Sequence, residues 1–418
     1  MEDYSYFKTQ RFILDKENSV NRINSDDLLT LISNEELKEL LINKYSLDKN
    51  LVIEIEGIDE LLEHVKRYAE RFELIRLEAA DDQVTSHLEF DSVTNEPRYK
   101  FNIAYGTEGE VVYKNLEAIA IYDSVNLFYK DKDLTQYVKS LKKLANKSAL
   151  LDDLNVSWKN YYHRNPKSVK SKLYRILKNG DNHYLKSINT SSYKEYGIKE
   201  SFVVAVLELF KLKTQSNHFD FAISSVLLSE SEIDLIISKK KSVKLGNAGM
   251  VKSSISIRNN DQGNVSFGIF STLEFYPERG TDARVFLFPE NGDQSIKNYK
   301  KSAHNVTPET FLKVHSQISL LLNKAEELKT DYYFLRDSVN YDQLRQKIEE
   351  KLITNNSAFK GVNGLKDLFN REKTGHIDNL AKLLLICGKA EMLEMESDVR
   401  FKLRYLISNV LLYNKNNF

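Results

Sequence analysis

Basic and aromatic side chains alternate along residues 158–196. The segment begins with WKNYYHR at Trp158–Arg164 and continues with lysines, arginines and tyrosines at short intervals. Cations attract the phosphates of a nucleic acid, while aromatic rings stack on the bases of a single strand. The pattern therefore predicts a surface that binds single-stranded DNA or RNA. Because the chain has 23 tyrosines, an ordinary solvated surface is the alternative.

Within this prediction each side chain has a role. Those assigned to the phosphates are Lys159, Arg164, Lys167, Lys170, Lys172, Arg175 and Lys178. Those assigned to base stacking are Tyr174 and Tyr184. Those that extend the positive track across the following sheet are Lys241, Lys244 and Arg258.

Four carboxylates offer a different chemistry. A metal-dependent nuclease gathers carboxylates on adjacent strands to hold a divalent ion and orient a water. The residues that could supply them are Asp220, Glu274, Glu278 and Asp282. The alternative is that they are solvated side chains at turns and strand edges.

Other site patterns are missing. The eight histidines are scattered, and even the pair His304 and His315 lacks metal-ligand spacing on one element. The glycines at Gly246 and Gly249 lack the spacing of a phosphate-binding loop, and no serine-elbow pattern occurs. We therefore expect no metal and no cofactor, and we favour a non-enzymatic protein.

The element expected to position the central residues is a β-meander at Lys239–Glu290. Its strands are predicted at Val251–Arg258, Val265–Phe275 and Arg284–Phe288, with turn-forming residues between them. Two more strands are expected at Phe219–Leu228 and Ile233–Ile237, after an apolar helix at Ser201–Leu212.

The two ends of the chain are predicted to be mainly helical. After a short entry strand, helices are expected from Ser25, from Asn34 and from Ile58 to Ile75, followed near Arg98 by a hairpin and a third strand. Thr307-Pro308-Glu309 predicts a helix start, and four further helices are expected from about residue 340 to residue 412. The fold class predicted is α+β.

Length and charge suggest three domains. At 418 residues the chain is too long for one ordinary core. Residues 1–100 hold 13 Lys or Arg against 23 Asp or Glu, whereas residues 130–199 hold 16 against 6. We predict an acidic α+β domain at residues 1–128, a basic α+β domain with the meander at 129–305, and a helical bundle at 306–418.

Composition also suggests a location. No apolar run reaches the ~18–20 residues that cross a bilayer, and the first residues do not resemble a signal peptide. We therefore expect a cytoplasmic protein with no membrane partner. The single cysteine, Cys387, is expected to be a buried apolar side chain.

Two segments carry a family resemblance. LYRILKNGDNHYLKSINTSSYKEY, at Leu173–Tyr196, has the form of a hairpin followed by a strand and a tyrosine-bearing turn. Val243–Tyr276 has a Val-Lys-hydrophobic-Gly entry and a strand ending in an Asn-rich turn with Gly263. On these patterns Tyr174–Tyr276 resembles a domain family of unknown function found in phages, prophages and plasmids. It departs from that family at Thr272–Pro277, in place of Arg-Leu-Val-Cys-Asn-Gly. The resemblance implies a mobile-element protein acting near nucleic acid and supplies no catalytic residues.

Three functions follow as hypotheses. The first is a nucleic-acid-binding protein of a phage or plasmid, whose acidic first hundred residues mask the basic surface. The second is a metal-dependent hydrolase of phage defence or counter-defence. The third is a homo-oligomer in which the acidic and basic segments meet between subunits.

Overall fold

The structure is a computed structural model that describes residues 2–12, 14, 21–47, 51–90, 96–141, 148–215, 220–244, 249–262, 267–276, 283–288, 299–302, 306–327 and 339–413. The chain forms two compact units, each built from several segments. Unit 1 comprises Met1–Phe7, Arg67–Tyr196 and Asn260–Ser266, and unit 2 comprises Lys8–Lys66, Gly197–Asn259 and Phe267–Phe418. The boundaries predicted at residues 128 and 305 both lie inside a unit, so the division differs from the predicted one.

The elements are numbered in chain order. The strands are β1 (Gln10–Phe12), β2 (Arg22–Asn24), β3 (Val52–Glu54), β4 (Glu73–Ala80), β5 (Val84–Phe90), β6 (Pro97–Glu108), β7 (Val111–Ala120), β8 (Ser171–Asn179), β9 (Asn182–Asn189), β10 (Phe221–Leu228), β11 (Glu232–Lys239), β12 (Val243–Lys244), β13 (Met250–Asn260), β14 (Phe267–Tyr276), β15 (Val285–Leu287) and β16 (Tyr299–Ser302). The helices are α1 (Ser25–Leu29), α2 (Glu35–Tyr45), α3 (Ile58–Ala69), α4 (Ser124–Lys130), α5 (Thr135–Leu141), α6 (Ala149–Arg164), α7 (Ile198–Gln215), α8 (Pro308–His315), α9 (Ile318–Glu327), α10 (Tyr341–Thr354), α11 (Leu365–Phe369), α12 (Arg371–Thr374), α13 (Leu380–Glu391) and α14 (Ser397–Tyr413).

Unit 1 contains a closed six-stranded sheet. The strands β4 and β5 are separated only by the 3-10 helix Asp81–Gln83, and both pair with β6. From β6 the path runs to β7, β9 and β8 and returns to β4. The pairing of β7 with β9 is parallel, and the other pairings in this sheet are antiparallel. The sheet therefore forms a barrel.

Every second side chain along the strands is buried, and these side chains fill the barrel. On β4 the inward positions are Ile75, Leu77 and Ala79, with a period of two residues. Two consecutive residues of α4, Phe128 and Tyr129, join the same core. Gly106 faces Leu77, whose Cγ would lie 2.7 Å from an added Cβ, so a side chain at this position of β6 would displace the core.

Unit 2 contains an eight-stranded antiparallel sheet. Its order is β1-β10-β11-β13-β14-β15, with β12 paired to β13 and β16 paired to β14. The strands β10 and β11 are buried along their whole length, and α7 packs on β11. The predicted meander is confirmed by the pairing of β13 with β14 and of β14 with β15. The predicted apolar helix is also confirmed, since Phe202–Leu207 on α7 are fully buried.

The C-terminal helices pack on this sheet. One core cluster joins Val251, Leu273 and Phe275 of the sheet to apolar residues of α10, α11, α13 and α14. The predicted buried Cys387 lies in this cluster, and burial raises the pKa of its thiol. The helix start at Thr307 is confirmed, since its side chain accepts a hydrogen bond from the Thr310 amide.

Two predicted elements between residues 58 and 130 were wrong, and a third was divided in two. The helix from Ile58 ends at Ala69, and Ile75 lies on β4, because the apolar positions from residue 75 onward recur every second residue. The third strand predicted before residue 128 is the helix α4, whose adjacent residues Phe128 and Tyr129 are both buried. The helix predicted from Thr307 to Lys329 is divided into α8 and α9.

The fold class is α+β: 44% of the described residues are helical, 31% lie in strands, and the sheets are largely antiparallel. Within the described ranges, no helix combines the length and the apolar character that a bilayer-crossing helix requires.

Candidate nucleic-acid interface

Four of the predicted phosphate-binding cations form an exposed row at the end of α6 and just beyond it. Lys159 and Arg164 lie on the solvent face of α6, and Lys167 and Lys170 follow it. The helix has this orientation because Leu151 and Tyr162, on its opposite face, are buried in unit 1. Within the described part of the chain, Lys159 and Lys167 have no carboxylate partner, and Lys170 forms no ion pair although it lies near Asp131. We call these four residues the cation row.

Aromatic rings accompany the cation row. Tyr161 is 43% exposed, and its ring centroid lies 5.3 Å from that of Trp158. Trp158 also contacts Tyr162, so the two inner rings support the exposed one. The ring of Tyr161 is therefore available to stack on a base.

Neither tyrosine that the sequence assigned to base stacking is accessible. Tyr174 has 0% exposure because it lies in the core of the barrel of unit 1, and Tyr184 has 4% because Tyr4, Phe7 and Phe72 pack against its ring. The Tyr184 hydroxyl donates to Asp3 at 3.0 Å. The stacking role of Tyr174 was wrong, and the ring of Tyr184 is covered by Tyr4 and Phe7 in this structure.

Arg175 is equally inaccessible. Its guanidinium is fully buried and donates to both carboxylate oxygens of Glu195 and to Asp261. Burial alone would lower the pKa of Arg175, but these two carboxylates raise it. Because its donors are already used inside unit 1, its assignment to phosphates was wrong.

Two further lysines of the predicted surface are paired. Lys172 Nζ lies 3.2 Å from Asp81 and 3.1 Å from Asp131. Lys178 Nζ lies 2.9 Å from Glu73. A phosphate would have to displace a carboxylate from either lysine, so both are weaker candidates than the cation row.

The extension of the track lies in unit 2. Lys241 and Lys244 are exposed there. Arg258 is 5% exposed and pairs with Glu232 at 2.8 Å and with Asp398. Its proposed phosphate contact was therefore wrong, because the guanidinium is held under the surface.

The outer face of β6 and β7 presents a second surface. Exposure alternates along both strands until Ala104–Tyr105 and Lys114–Asn115, where two successive residues on each strand are exposed. Asn115 has a φ of 51°, a left-handed conformation that asparagine tolerates. Beyond this point Tyr105 and Lys114 lie on the outer face, directly opposite each other in the strand register.

Tyr105 and Lys114 form the chemical centre of this face. Tyr105 is 47% exposed, and Val112, next along β7 on the same face, is 49% exposed. No described carboxylate pairs with Lys114. An exposed ring beside an unpaired cation can stack on a base and attract its phosphate. We call the outer surface of β6 and β7 the strand face.

A pocket of about 570 Å³ lies on the strand face. Residues of β6, β7 and the start of β9 line it: Lys100, Tyr113, Lys114, Glu117, Ile119 and His183. A hydrogen bond to Glu117 raises the pKa of Lys100, and Glu89 lies near the same amine. Burial and Lys178 lower the pKa of His183, which favours its neutral form. The pocket is thus mixed in charge, and Lys114 is its unpaired cation among the described residues.

Of the four carboxylates considered for metal chemistry, the two that the structure describes are not gathered. Glu274 is fully buried and accepts hydrogen bonds from Ser224, Ser238 and Arg284. Asp220 pairs with Lys240 at 3.4 Å. Glu278 and Asp282 lie outside the described residues. Across the described ranges, no group of three His, Cys, Asp or Glu side chains could hold a metal ion.

The sequence did not identify Tyr105 or Lys114. The hairpin that carries them was predicted, but the exposure of its residues depends on the change of face at Asn115. The sequence does show Gly106 and Gly109 between Tyr105 and Lys114. Without the strand register, nothing indicates that Tyr105 and Lys114 lie opposite each other, so this signal is weak.

Comparisons with family models, with curated proteins and with solved structures found no match to this chain.

Proposed function

We propose that unit 1 binds single-stranded nucleic acid. The observation that supports this best is the connectivity of its barrel. Counting β4 and β5 as one bent strand, the order around the barrel is first, second, third, fifth and fourth, returning to the first. The third and fifth strands are parallel, and α4, α5 and α6 lie between the third and the fourth.

This is the connectivity of the OB fold. In OB folds the second and third strands and the loops around them bind oligonucleotides or oligosaccharides. Here those strands are β6 and β7, the strands that carry Tyr105, Lys114 and the pocket. Because a fold does not by itself determine a ligand, the chemical support for nucleic-acid binding comes from the residues of the strand face.

Exposed aromatic and cationic groups favour a nucleic acid over an oligosaccharide. Tyr105 and Tyr161 offer rings for stacking, and Lys114 and the cation row offer positive charge for phosphates. We place the bases on the strand face and assign the cation row to the phosphate backbone.

Binding of labelled oligonucleotides across a salt series tests the proposal. The full-length protein should bind single strands more tightly than duplexes of the same sequence. Combining Lys159→Ala, Lys167→Ala and Lys170→Ala should reduce the slope of log affinity against log salt by about 2, since each phosphate contributes ~0.7 on a single strand. The matched control is Lys360→Ala with Lys389→Ala and Lys402→Ala, three exposed lysines of unit 2.

The strand face has its own variant. Tyr105→Ala should weaken binding by about 1–3 kcal/mol, the value of one stacked base. Tyr137→Ala is the matched control, because Tyr137 is 42% exposed on α5 of the same unit. If Tyr105→Ala binds as wild type does, the strand face is not the site. If the full-length protein binds no oligonucleotide at low salt, the proposed function is wrong.

A phage, prophage or plasmid context is proposed from the family resemblance alone. The resembling segment Tyr174–Tyr276 belongs to unit 1 up to Tyr196 and mostly to unit 2 beyond it. It therefore does not correspond to one compact unit, and the nucleic-acid proposal does not depend on it.

A further inference from the structure

The residues Asp3–Phe7 pack on the barrel of unit 1 beside the strand face. Asp3 is 7% exposed, and its carboxylate accepts hydrogen bonds from Arg71 at 3.0 Å, Asn179 at 2.8 Å and Tyr184 at 3.0 Å. Burial alone would raise the pKa of Asp3, but these donors lower it. The chain thus places an anion in a site built from a guanidinium, an amide and a hydroxyl.

Three aromatic residues, Tyr4, Tyr6 and Phe7, come directly after Asp3 in the chain. Phe7 stacks on Phe72 with ring centroids 5.2 Å apart, and it meets Tyr184 edge-on at 5.0 Å. Tyr4 meets Tyr184 at 5.8 Å, and the Arg98 guanidinium lies 4.8 Å from the Tyr4 ring. Tyr4, Tyr6 and Phe7 therefore cover apolar surface on the outside of the barrel.

This segment borders the pocket on the strand face. Ile119 lines the pocket and also packs in the aromatic cluster with the segment. Arg98 belongs to β6, and Asn179 pairs in register with Asn182, which lines the pocket. A strand of nucleic acid that extended past Ile119 would meet the rings of the segment.

We propose that Asp3–Phe7 is an intramolecular competitor for the nucleic-acid site. The carboxylate of Asp3 occupies a position suited to a phosphate, and the rings of Tyr4 and Phe7 occupy positions suited to stacked bases. A bound strand would displace the segment, so the segment lowers the affinity of the wild-type protein. This inference rests on the proposed function and assigns the masking role to five residues, rather than to the acidic first hundred.

The test compares oligonucleotide affinity in the full-length protein and two variants. Asp3→Asn removes the anion while keeping the side-chain size, and Tyr4→Ala with Phe7→Ala removes the rings. We expect each variant to bind a labelled single strand at least about 5-fold more tightly, because releasing the segment raises the fraction of protein molecules whose site is free to bind. Lys8→Ala, an exposed change just beyond the segment, should leave the affinity unchanged.

A measurement on the wild-type protein avoids any loss of folding in the variants. Saturating oligonucleotide should increase hydrogen–deuterium exchange in residues 3–7 while it protects β6 and β7. If the wild type binds but the segment keeps its protection and the variants bind no more tightly, the inference is wrong and the proposed function stands. If neither the wild type nor the variants bind, the proposed function itself is wrong.

Discussion

At the scale of single residues, Arg175 is a cation that the fold buries. Its side chain is fully buried, and its N–H groups donate hydrogen bonds to the carboxylates of Glu195 and Asp261. Lys186 adds a second cation to Asp261 at 2.8 Å, and the Tyr193 hydroxyl donates to the Asp261 carbonyl. These groups join β8 and β9 to Tyr193 and Glu195, which follow β9, and to Asp261, which follows β13 and belongs to unit 1. The network therefore stabilises the barrel rather than a ligand.

Arg175→Met is therefore expected to destabilise the protein. Removing one partner of a buried ion pair costs about 3–5 kcal/mol, because the remaining charge is left unpaired. Chemical denaturation of the variant measures the loss, with Lys167→Met at an exposed position as the control. A variant that keeps wild-type stability but loses oligonucleotide binding would contradict the structural role and restore the role predicted from sequence.

His315 is a buried titratable residue of unit 2 that contributes to the pH dependence of stability. It is fully buried, stacks on Phe267 at 4.3 Å, and lies with Nδ1 3.0 Å from the Phe311 carbonyl. Burial lowers its pKa from the ordinary 6.5 to about 3. Between these values the unfolded histidine binds a proton that the folded one does not, so stability falls as the pH falls from 6.5.

His315→Leu should remove this contribution. The wild type should lose up to ~1.4 kcal/mol per pH unit below pH 6.5 more than the variant does, because one proton is taken up on unfolding. Urea denaturation at pH 7, 6 and 5 gives both slopes, and His163→Leu serves as the exposed control. Equal slopes in wild type and His315→Leu would show that His315 does not titrate in this way.

At the scale of elements, α6 protects an open strand edge. The side chain of Asn155 accepts from the Ser86 amide at 3.4 Å and donates to the Ser86 carbonyl at 2.7 Å. Ser86 lies on β5, whose partner on one side is β6. The asparagine therefore pairs backbone groups that would otherwise offer an edge to another chain. The same helix presents Lys159 and Arg164 of the cation row on its other face.

Asn155→Ala should expose this edge. We expect a loss of about 1–3 kcal/mol in stability, the cost of leaving buried polar groups unpaired, and faster hydrogen exchange at Ser86. Asn160→Ala is the matched control on the exposed side of α6. Unchanged exchange at Ser86 in the Asn155→Ala variant would mean that the edge is protected by other contacts.

At the scale of the whole molecule, ion pairs inside unit 1 take up part of the charge difference between residues 1–100 and residues 130–199. The pairs Lys172–Asp81 and Lys178–Glu73 each join the basic segment 130–199 to the acidic segment 1–100 within one chain. The same charges are therefore less available to join two subunits, so homo-oligomerisation stays a prediction from sequence. The cation row stays available because, among the described residues, Lys159 and Lys167 have no carboxylate partner and Lys170 forms no ion pair.

Local pattern alone determined several features of this protein. The turn residues and β-branched strands specified the meander β13–β15, and Thr307 specified the start of α8, because both depend on neighbours in the chain. The apolar run of α7 and the buried Cys387 were equally predictable, since a helix that is apolar on all sides must be covered.

Only the tertiary structure decided which charged and aromatic residues reach solvent. Lys170 and Arg175 are five positions apart and chemically alike, yet one is exposed and the other is enclosed by Glu195 and Asp261, the latter 86 residues away. The barrel closes through the pairing of β4 with β8, about a hundred residues apart, and no local pattern encodes that contact. Because burial is a property of such long-range contacts, the strand face and the position of Asp3–Phe7 emerged only from the folded chain.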